Sequence, residues 1–267
     1  MQARLAFIGG GNMAGAIFGG LLRSGWPAEA ISVVEPWAEQ RARIAVAWPG
    51  LTLLAQADAS LASAEIVVWA VKPQTFAEAV AACTGSVGGA LQLSVMAGIR
   101  SDAIARASGS ERVVRAMPNT PALIGRGIAG LVARAAVSAA DRASVEAVLA
   151  PTGQLLWLEH EEQLDAVTAL SGSGPAYVFY FIEAMMEAAE QMGLTHEQGR
   201  RLAQATFAGA TALAMQSDES PATLRERVTS KGGTTFAALE SMRADQVQQA
   251  IVRALLAAQQ RARELGA

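Results

Sequence analysis

The sequence predicts an α/β chain in two parts: a mostly parallel sheet covered on both faces over residues 1–161, then an all-helical unit over 162–267. Three observations predict it. Short Ile/Val/Leu-rich runs alternate with helical patterns through the first half, as crossovers between parallel strands require. A glycine turn directly follows the first of those runs and opens a helix. After about Glu161 the strand signals stop, and Ala-, Leu- and Met-rich helical patterns fill the rest.

Strands are expected at Leu5–Ile8, Ile31–Val34, Leu51–Leu54, Ile66–Val71, Leu91–Val95, Val113–Met117, Ile128–Val132 and Leu155–Leu158. Helical patterns fall between many of them, among them Met13–Ser24, Trp37–Ala47, Gln74–Cys83 and Ala139–Ala150. In the second half Pro175 opens a helix that runs to about Met192. Thr195 and Gln198 have capping-box spacing for the next, which runs to about Gln216. Ser220-Pro221 reads as an N-cap followed by proline at the first helical position. A last helix is expected from about Asp245 to Leu265, stopped by Gly266.

The bulk composition narrows the function. Apolar residues make up 52% of the chain, enough for a sizeable core, and the net charge is -3. A nucleic-acid partner would call for a basic face, and none is indicated. Cys83 is the only cysteine, so neither an internal disulfide nor a cysteine metal site is possible. His160 and His196 are the only histidines and stand far apart, so no metal is expected. The longest uncharged stretch, Ala79 to Ile99, is broken by glycines and polar residues and does not read as a membrane span. With no targeting segment visible either, a cytoplasmic protein is the expectation.

The glycine turn is the first motif that carries chemistry. Leu5-Ala6-Phe7-Ile8 leads into Gly9-Gly10-Gly11-Asn12-Met13-Ala14, in which Gly9, Gly11 and Ala14 have the spacing of a dinucleotide-binding turn. Gly9 permits the tight turn, Gly11 lets the backbone approach a pyrophosphate, and Ala14 keeps the helix close to the strand. The pyrophosphate then meets free N–H groups and the positive end of a helix. A glycine-rich turn without a ligand is the plainer reading, but the strand before it and the helix after it favour the cofactor. Glu35 ends the second strand, 21 residues after Ala14, where an acidic residue bonds adenosine ribose hydroxyls and repels a 2′-phosphate. Arg41 and Arg43 follow, either as phosphate contacts or as ordinary surface residues.

The same residues exclude some nicotinamide enzymes. Ketone reduction needs a proton donor such as Lys, His or Tyr. The only lysines are Lys72 and Lys231, and neither has an asparagine four residues later, as a β-hydroxyacid dehydrogenase would require. Tyr177 and Tyr180 are followed at that spacing by Phe181 and Ala184, so the Tyr–Lys pair of short-chain dehydrogenases is absent. An iminium carbon already carries its activating charge and needs less help, which fits imine reduction.

Five further segments coincide, in order, with one family. Val71-Lys72-Pro73, Val95-Met96-Ala97-Gly98-Ile99, Arg115-Ala116-Met117-Pro118-Asn119-Thr120-Pro121, Ala169-Leu170-Ser171-Gly172-Ser173-Gly174-Pro175-Ala176-Tyr177 and Arg227-Val228-Thr229-Ser230-Lys231-Gly232-Gly233-Thr234-Thr235 resemble motifs of the pyrroline-5-carboxylate reductases. The resemblance covers nearly the whole chain. It implies a Rossmann-type domain followed by an all-α dimerisation domain, and reduction of 1-pyrroline-5-carboxylate to L-proline. The implied cofactor is NADPH, with NADH also served. The cofactor residues would be Gly9, Gly11, Asn12, Met13, Ala14, Glu35, Val71, Lys72, Pro73, Ala97 and Gly98. Lys72-Pro73 has a plainer reading as a strand end with a solvated lysine, and Ala97-Gly98 has one as a tight turn.

By the same resemblance Ser230, Gly233, Thr234 and Thr235 hold the substrate carboxylate and ring, and Thr235 and Asp218 act at the imine. The residues agree: glycine-freed amides, hydroxyls and a helix start gather there, although a plain helix–helix turn has the same composition. One departure stands out. The family places Glu shortly before the helix-opening proline, whereas here Asp218 holds that position, with Glu219 beside it as a substitute. The apolar helical half predicts at least a homodimer, and at the upper end a decamer of dimers. Another imine or β-hydroxyacid reductase, and a non-catalytic nucleotide sensor, are the alternative readings.

Overall fold

The computed structural model describes residues 2–266. Eight strands are present: β1 Leu5–Ile8, β2 Ile31–Val34, β3 Thr52–Leu54, β4 Ile66–Trp69, β5 Leu91–Ser94, β6 Val113–Met117, β7 Gly127–Ala133 and β8 Gly153–Trp157. They form one sheet in the order β3-β2-β1-β4-β5-β6-β7-β8. β1 to β6 pair in parallel, β7 runs antiparallel to β6, and β8 is parallel to β7. The strand order reverses between β1 and β4, where an open α/β sheet leaves a crevice at its carboxyl edge.

Alternation along β1 shows why both faces are covered. Leu5 and Phe7 join a core with Ile17, Phe18, Val33, Val68 and Leu93, whereas Ala6 and Ile8 join the opposite core with Val67, Trp69, Val80 and Ile104. Successive strand residues point to opposite faces, so a strand buried twice must be apolar throughout. Gln92 and Ser94 are the buried polar residues of β5, and the Gln92 amide is bonded on both sides. It accepts from Trp69 Nε1 at 2.8 Å and donates to the carbonyls of Val87 and Ala90.

Helices α1 Asn12–Arg23, α2 Ala38–Ala47, α3 Phe76–Ala82, α4 Ser101–Ser108 and α5 Ala139–Leu149 lie between strands. The eight-residue α4 was not among the expected helices. Ser138 and Asp141 close a reciprocal capping box at the start of α5. α6 Gln163–Val167 then runs into a π-helical turn over Thr168–Gly172, in which Ser173 N–H reaches back to the Thr168 carbonyl at 2.8 Å. These elements, up to Ser173, form one compact unit together with the chain from Ala258 onward.

Residues Gly174–Ala257 form the second unit. It holds α7 Gly174–Gln191, α8 His196–Met215, α9 Pro221–Arg227, α10 Thr234–Ala244 and most of α11 Val247–Leu265. The Thr195–Gln198 capping box and the Ser220 cap form as the residue spacing requires. α7 and α8 pack closely because Gly199 leaves room for Ala189, whose Cβ would lie 2.9 Å from a Cβ at position 199. The last helix begins at Val247 rather than Asp245, because Gln246 takes a left-handed φ of 53° and separates α10 from α11. Phe179, Tyr180, Leu213 and Met215 are all exposed in this chain. Large apolar side chains exposed in such number on two packed helices fit an interaction surface.

Candidate active site

The glycine turn sits at the sheet's switch point. Gly9 ends β1 with φ 99°, and a Cβ there would lie 2.7 Å from the Ala70 carbonyl just beyond β4. Only glycine fits such a turn. Gly10 has no room for a side chain either, since a Cβ would meet Ile44 Cδ1 at 2.5 Å. Gly11 differs from both. It has ordinary extended backbone angles, and nothing lies within 4 Å of where its Cβ would be. The protein's own packing does not demand glycine at 11, whereas close approach of a ligand to the backbone would. Gly11 is the N-cap of α1, no side chain caps that end, and no acidic residue stands in the first turn. Gly11 and Asn12 are exposed, Met13 is half-buried, and Ala14 is fully buried against the sheet. An anion therefore meets free amides and the positive end of the helix dipole, with no carboxylate competing there.

Glu35 follows β2 and faces this turn. Its Oε2 accepts from Gly10 N–H at 3.0 Å and its Oε1 from Trp37 N–H at 3.0 Å. Arg41 turns back to the carbonyls of Glu35 and Pro36, at 2.7 and 2.8 Å. Arg43 lies over the Trp37 ring, 5.7 Å from its centroid. Beyond β4, Val71 packs beside Gly9 and Lys72 is exposed, while Pro73 opens a short 3-10 turn. Among the described residues the Lys72 ammonium has no ion-pair partner. At the end of β5, Ala97 is exposed.

In the second unit the loop from Ser230 leads into α10. Gly232 is left-handed, and Gly233 N–H donates to the Ser230 carbonyl at 3.0 Å. Gly233 is the N-cap of α10, so Thr234 and Thr235 occupy its first two positions, and no side chain caps the end. No side chain occupies the backbone amides there, and the hydroxyls of Ser230, Thr234 and Thr235 are nearby in sequence. Asp218 is exposed, whereas Glu219 is paired with Arg227.

Comparison with known proteins follows the same two parts. The model named pyrroline-5-carboxylate reductase dimerisation matches residues 161–265, and one named NADP oxidoreductase coenzyme F420-dependent matches 4–98. A pyrroline-5-carboxylate reductase of Pseudomonas aeruginosa is 45% identical over 268 residues, covering 98% of this chain and 96% of that one. The chain belongs to the pyrroline-5-carboxylate reductase family. The solved reductase of Coxiella burnetii is 33% identical with a TM-score of 0.92, covering 100% of both chains. That of Plasmodium falciparum, solved with NADP bound, is 26% identical with a TM-score of 0.88, covering 99% of this chain and 98% of that one.

Within this member of the pyrroline-5-carboxylate reductase family, one expected cofactor residue has another explanation. Gly98 has φ 77°, and a Cβ on it would lie 2.8 Å from the Leu265 carbonyl. Its missing side chain makes room for the end of α11. Thr235 is the second residue of α10, whose N-cap is Gly233, and does not cap the helix.

Two features escaped the sequence reading. Arg115, buried in β6, pairs with Glu161, which also accepts from Ser101 N–H and Oγ. Gly10, to which the spacing assigned no role, is packed against Ile44.

Proposed function

We propose that this chain uses NAD(P)H to reduce 1-pyrroline-5-carboxylate to L-proline, the last step of proline biosynthesis. The reading is carried by one observation: an uncapped α1 whose Gly11 faces open space at the switch point of the sheet, in a chain collinear with reductases of that name. The residues present fit a dinucleotide, with its pyrophosphate at Gly11, Asn12 and Met13. Gly9 and Ala14 set the turn and the helix, and Glu35 lies toward the adenosine ribose. Val71, Lys72, Pro73 and Ala97 line the carboxyl edge of the sheet on the nicotinamide side. Bound there, NAD(P)H supplies the hydride.

The chain's own task is then to place and hold the imine. Ser230, Gly233, Thr234 and Thr235 receive the carboxylate through backbone amides and hydroxyls at the start of α10, where the helix dipole favours an anion. Thr235 and Asp218 lie toward the ring, and water or the protonated imine supplies the nitrogen's proton. Holding the reacting carbon in place accounts for much of the rate. NADPH is the preferred cofactor, as in the family this chain resembles, and NADH is also used, because the Glu35 charge opposes a 2′-phosphate and favours the unphosphorylated ribose.

The division of labour is between a nucleotide-binding part, 1–161, and a helical part, 162–267, through which two copies join as a homodimer, the unit from which a decamer of dimers would be built. We place the enzyme in the cytoplasm. Among the described residues no helix is long and apolar enough to cross a membrane. Cys83 is buried, and burial pushes its thiol up to about 11, so it stays protonated and inert.

The test is cofactor oxidation by the purified chain with a panel of cyclic imines and hydroxyacids. NAD(P)H should be consumed only with 1-pyrroline-5-carboxylate or a close analogue. Turnover of a β-hydroxyacid with none of the imine would refute the reading.

A further inference from the structure

We propose that Gln40, acting with Glu35, is a positioning residue that aims the Gly11 amide at the cofactor pyrophosphate. The proposal rests on the reading of the glycine turn as the NAD(P)H site.

Gly10 is held at both of its backbone polar groups. Its N–H donates to Glu35 Oε2 at 3.0 Å, and its carbonyl accepts from Gln40 Nε2 at 2.8 Å. The second bond matters more for a ligand. The Gly10 carbonyl and the Gly11 N–H belong to one peptide plane, and in a trans peptide they point in opposite directions. Gripping the carbonyl from α2 therefore turns the Gly11 N–H away from α2. Gly11 is exposed, with open space about its Cα. Its N–H is among the free donors at the start of α1, where an anion would bind.

The surroundings make the grip firm. Gln40 and Ile44 are four residues apart on α2 and share a face. Ile44 is buried directly against Gly10, where even a methyl group would come within 2.5 Å of it. The first turns of α2 are tied to the end of β2 by the second Glu35 oxygen, which accepts from Trp37 N–H, and by Arg41, which donates to the Glu35 and Pro36 carbonyls. Gln40 thus reaches Gly10 from an anchored base. Both Gln40 and Glu35 are half-buried, so water competes only partly for these bonds.

The pyrophosphate is common to NADPH and NADH. Gln40 is uncharged and bonds a backbone carbonyl, so its contribution should be equal for the two. Glu35 carries a charge and should not behave this way. That difference separates positioning from recognition of the ribose.

The experiment measures dissociation constants of NADPH and NADH by nucleotide fluorescence, without substrate, on the full chain and on Gln40→Met, which keeps the volume and removes the donor. Both constants should rise together, by roughly tenfold for one lost hydrogen bond, with their ratio held within about twofold. The melting temperature without nucleotide should stay put, while the stabilisation by added nucleotide should shrink. Gln40→Lys, which keeps a donor, should restore most of the NADH affinity. Unchanged constants in Gln40→Met would overturn the proposal, as would a rise for only one nucleotide, or a lowered melting temperature with intact binding. If the unsubstituted chain bound neither nucleotide, the cofactor reading itself would fall. If it bound both yet reduced no imine, only the choice of substrate would be wrong.

Discussion

Arg115 Nη1 donates to Glu161 Oε1 at 2.7 Å, joining β6 to the segment that leads out of the sheet toward α6. The arginine side chain is 6% exposed and its Nε has no partner among the described residues, so Glu161 is its principal compensation. Glu161 also accepts from Ser101 N–H and Oγ at 2.7 and 2.6 Å, which fixes the start of α4. Burial pushes the Glu161 carboxyl up, but the bonds from Ser101 and Arg115 outweigh it and leave the group below its ordinary value. A carboxyl whose folded pKa is lowered adds stability above its unfolded pKa and loses it as pH falls through the folded one. Removing one partner of a buried pair strands the other charge. Glu161→Ala should therefore cost about 3 kcal/mol in urea unfolding at pH 7. The gap from the unsubstituted chain should narrow as pH drops below 4.5, the ordinary value of this carboxyl. A gap that stayed constant over that range would show that charge is not its source.

Gly98→Ala separates two explanations of that glycine. If it serves the turn and the end of α11, alanine should cost about 2 kcal/mol, from left-handed backbone and the close Leu265 carbonyl. Nucleotide affinity should hardly change. Unchanged stability with weakened NADPH binding would return Gly98 to the cofactor site.

Glu35→Ser tests the ribose reading. Removing the charge should move the ratio of kcat/KM for NADPH over NADH toward NADPH. Both values should also fall, because Gly10 N–H and Trp37 N–H lose their acceptor. A ratio that did not move would mean that the carboxylate only holds the backbone.

Thr235→Ala is expected to cut kcat/KM for the imine roughly ten- to a hundredfold, about 1.4–2.7 kcal/mol. Thr235 caps nothing, so the melting temperature should stay nearly constant and cofactor binding intact. Asp218→Ala should give a smaller loss, since Asp is one methylene shorter than the family glutamate. Glu219 is committed to Arg227 and is poorly placed to stand in. A lower melting temperature with normal kcat/KM in Thr235→Ala would place the substrate elsewhere.

Light scattering at micromolar concentration should give at least a dimer. Tyr180 is 72% exposed and Met215 67% exposed within one chain, a cost that association removes. A fully active monomer would refute the assembly.

The sequence by itself determined all eight strands, the glycine turn, most of the helices, two helix starts in the second half and the family. Those features are written locally, in residue periodicity and in turn and cap chemistry, which act over a few neighbours. α4 carries no local start signal, because Arg100 is its N-cap and the bonds that fix its first residue, Ser101, come from distant Glu161. Strand order, the antiparallel turn of β7 and the partners of Arg115, Gly98 and Gly10 were decided only by tertiary structure. Arg115 meets Glu161 across 46 residues, and Gln40 meets Gly10 across 30. A glycine reads the same whether it is there for a left-handed turn, for a neighbouring side chain or for a ligand. Only the atoms around it distinguish Gly9, Gly10, Gly11 and Gly98, because each excludes or admits a side chain for a different spatial reason.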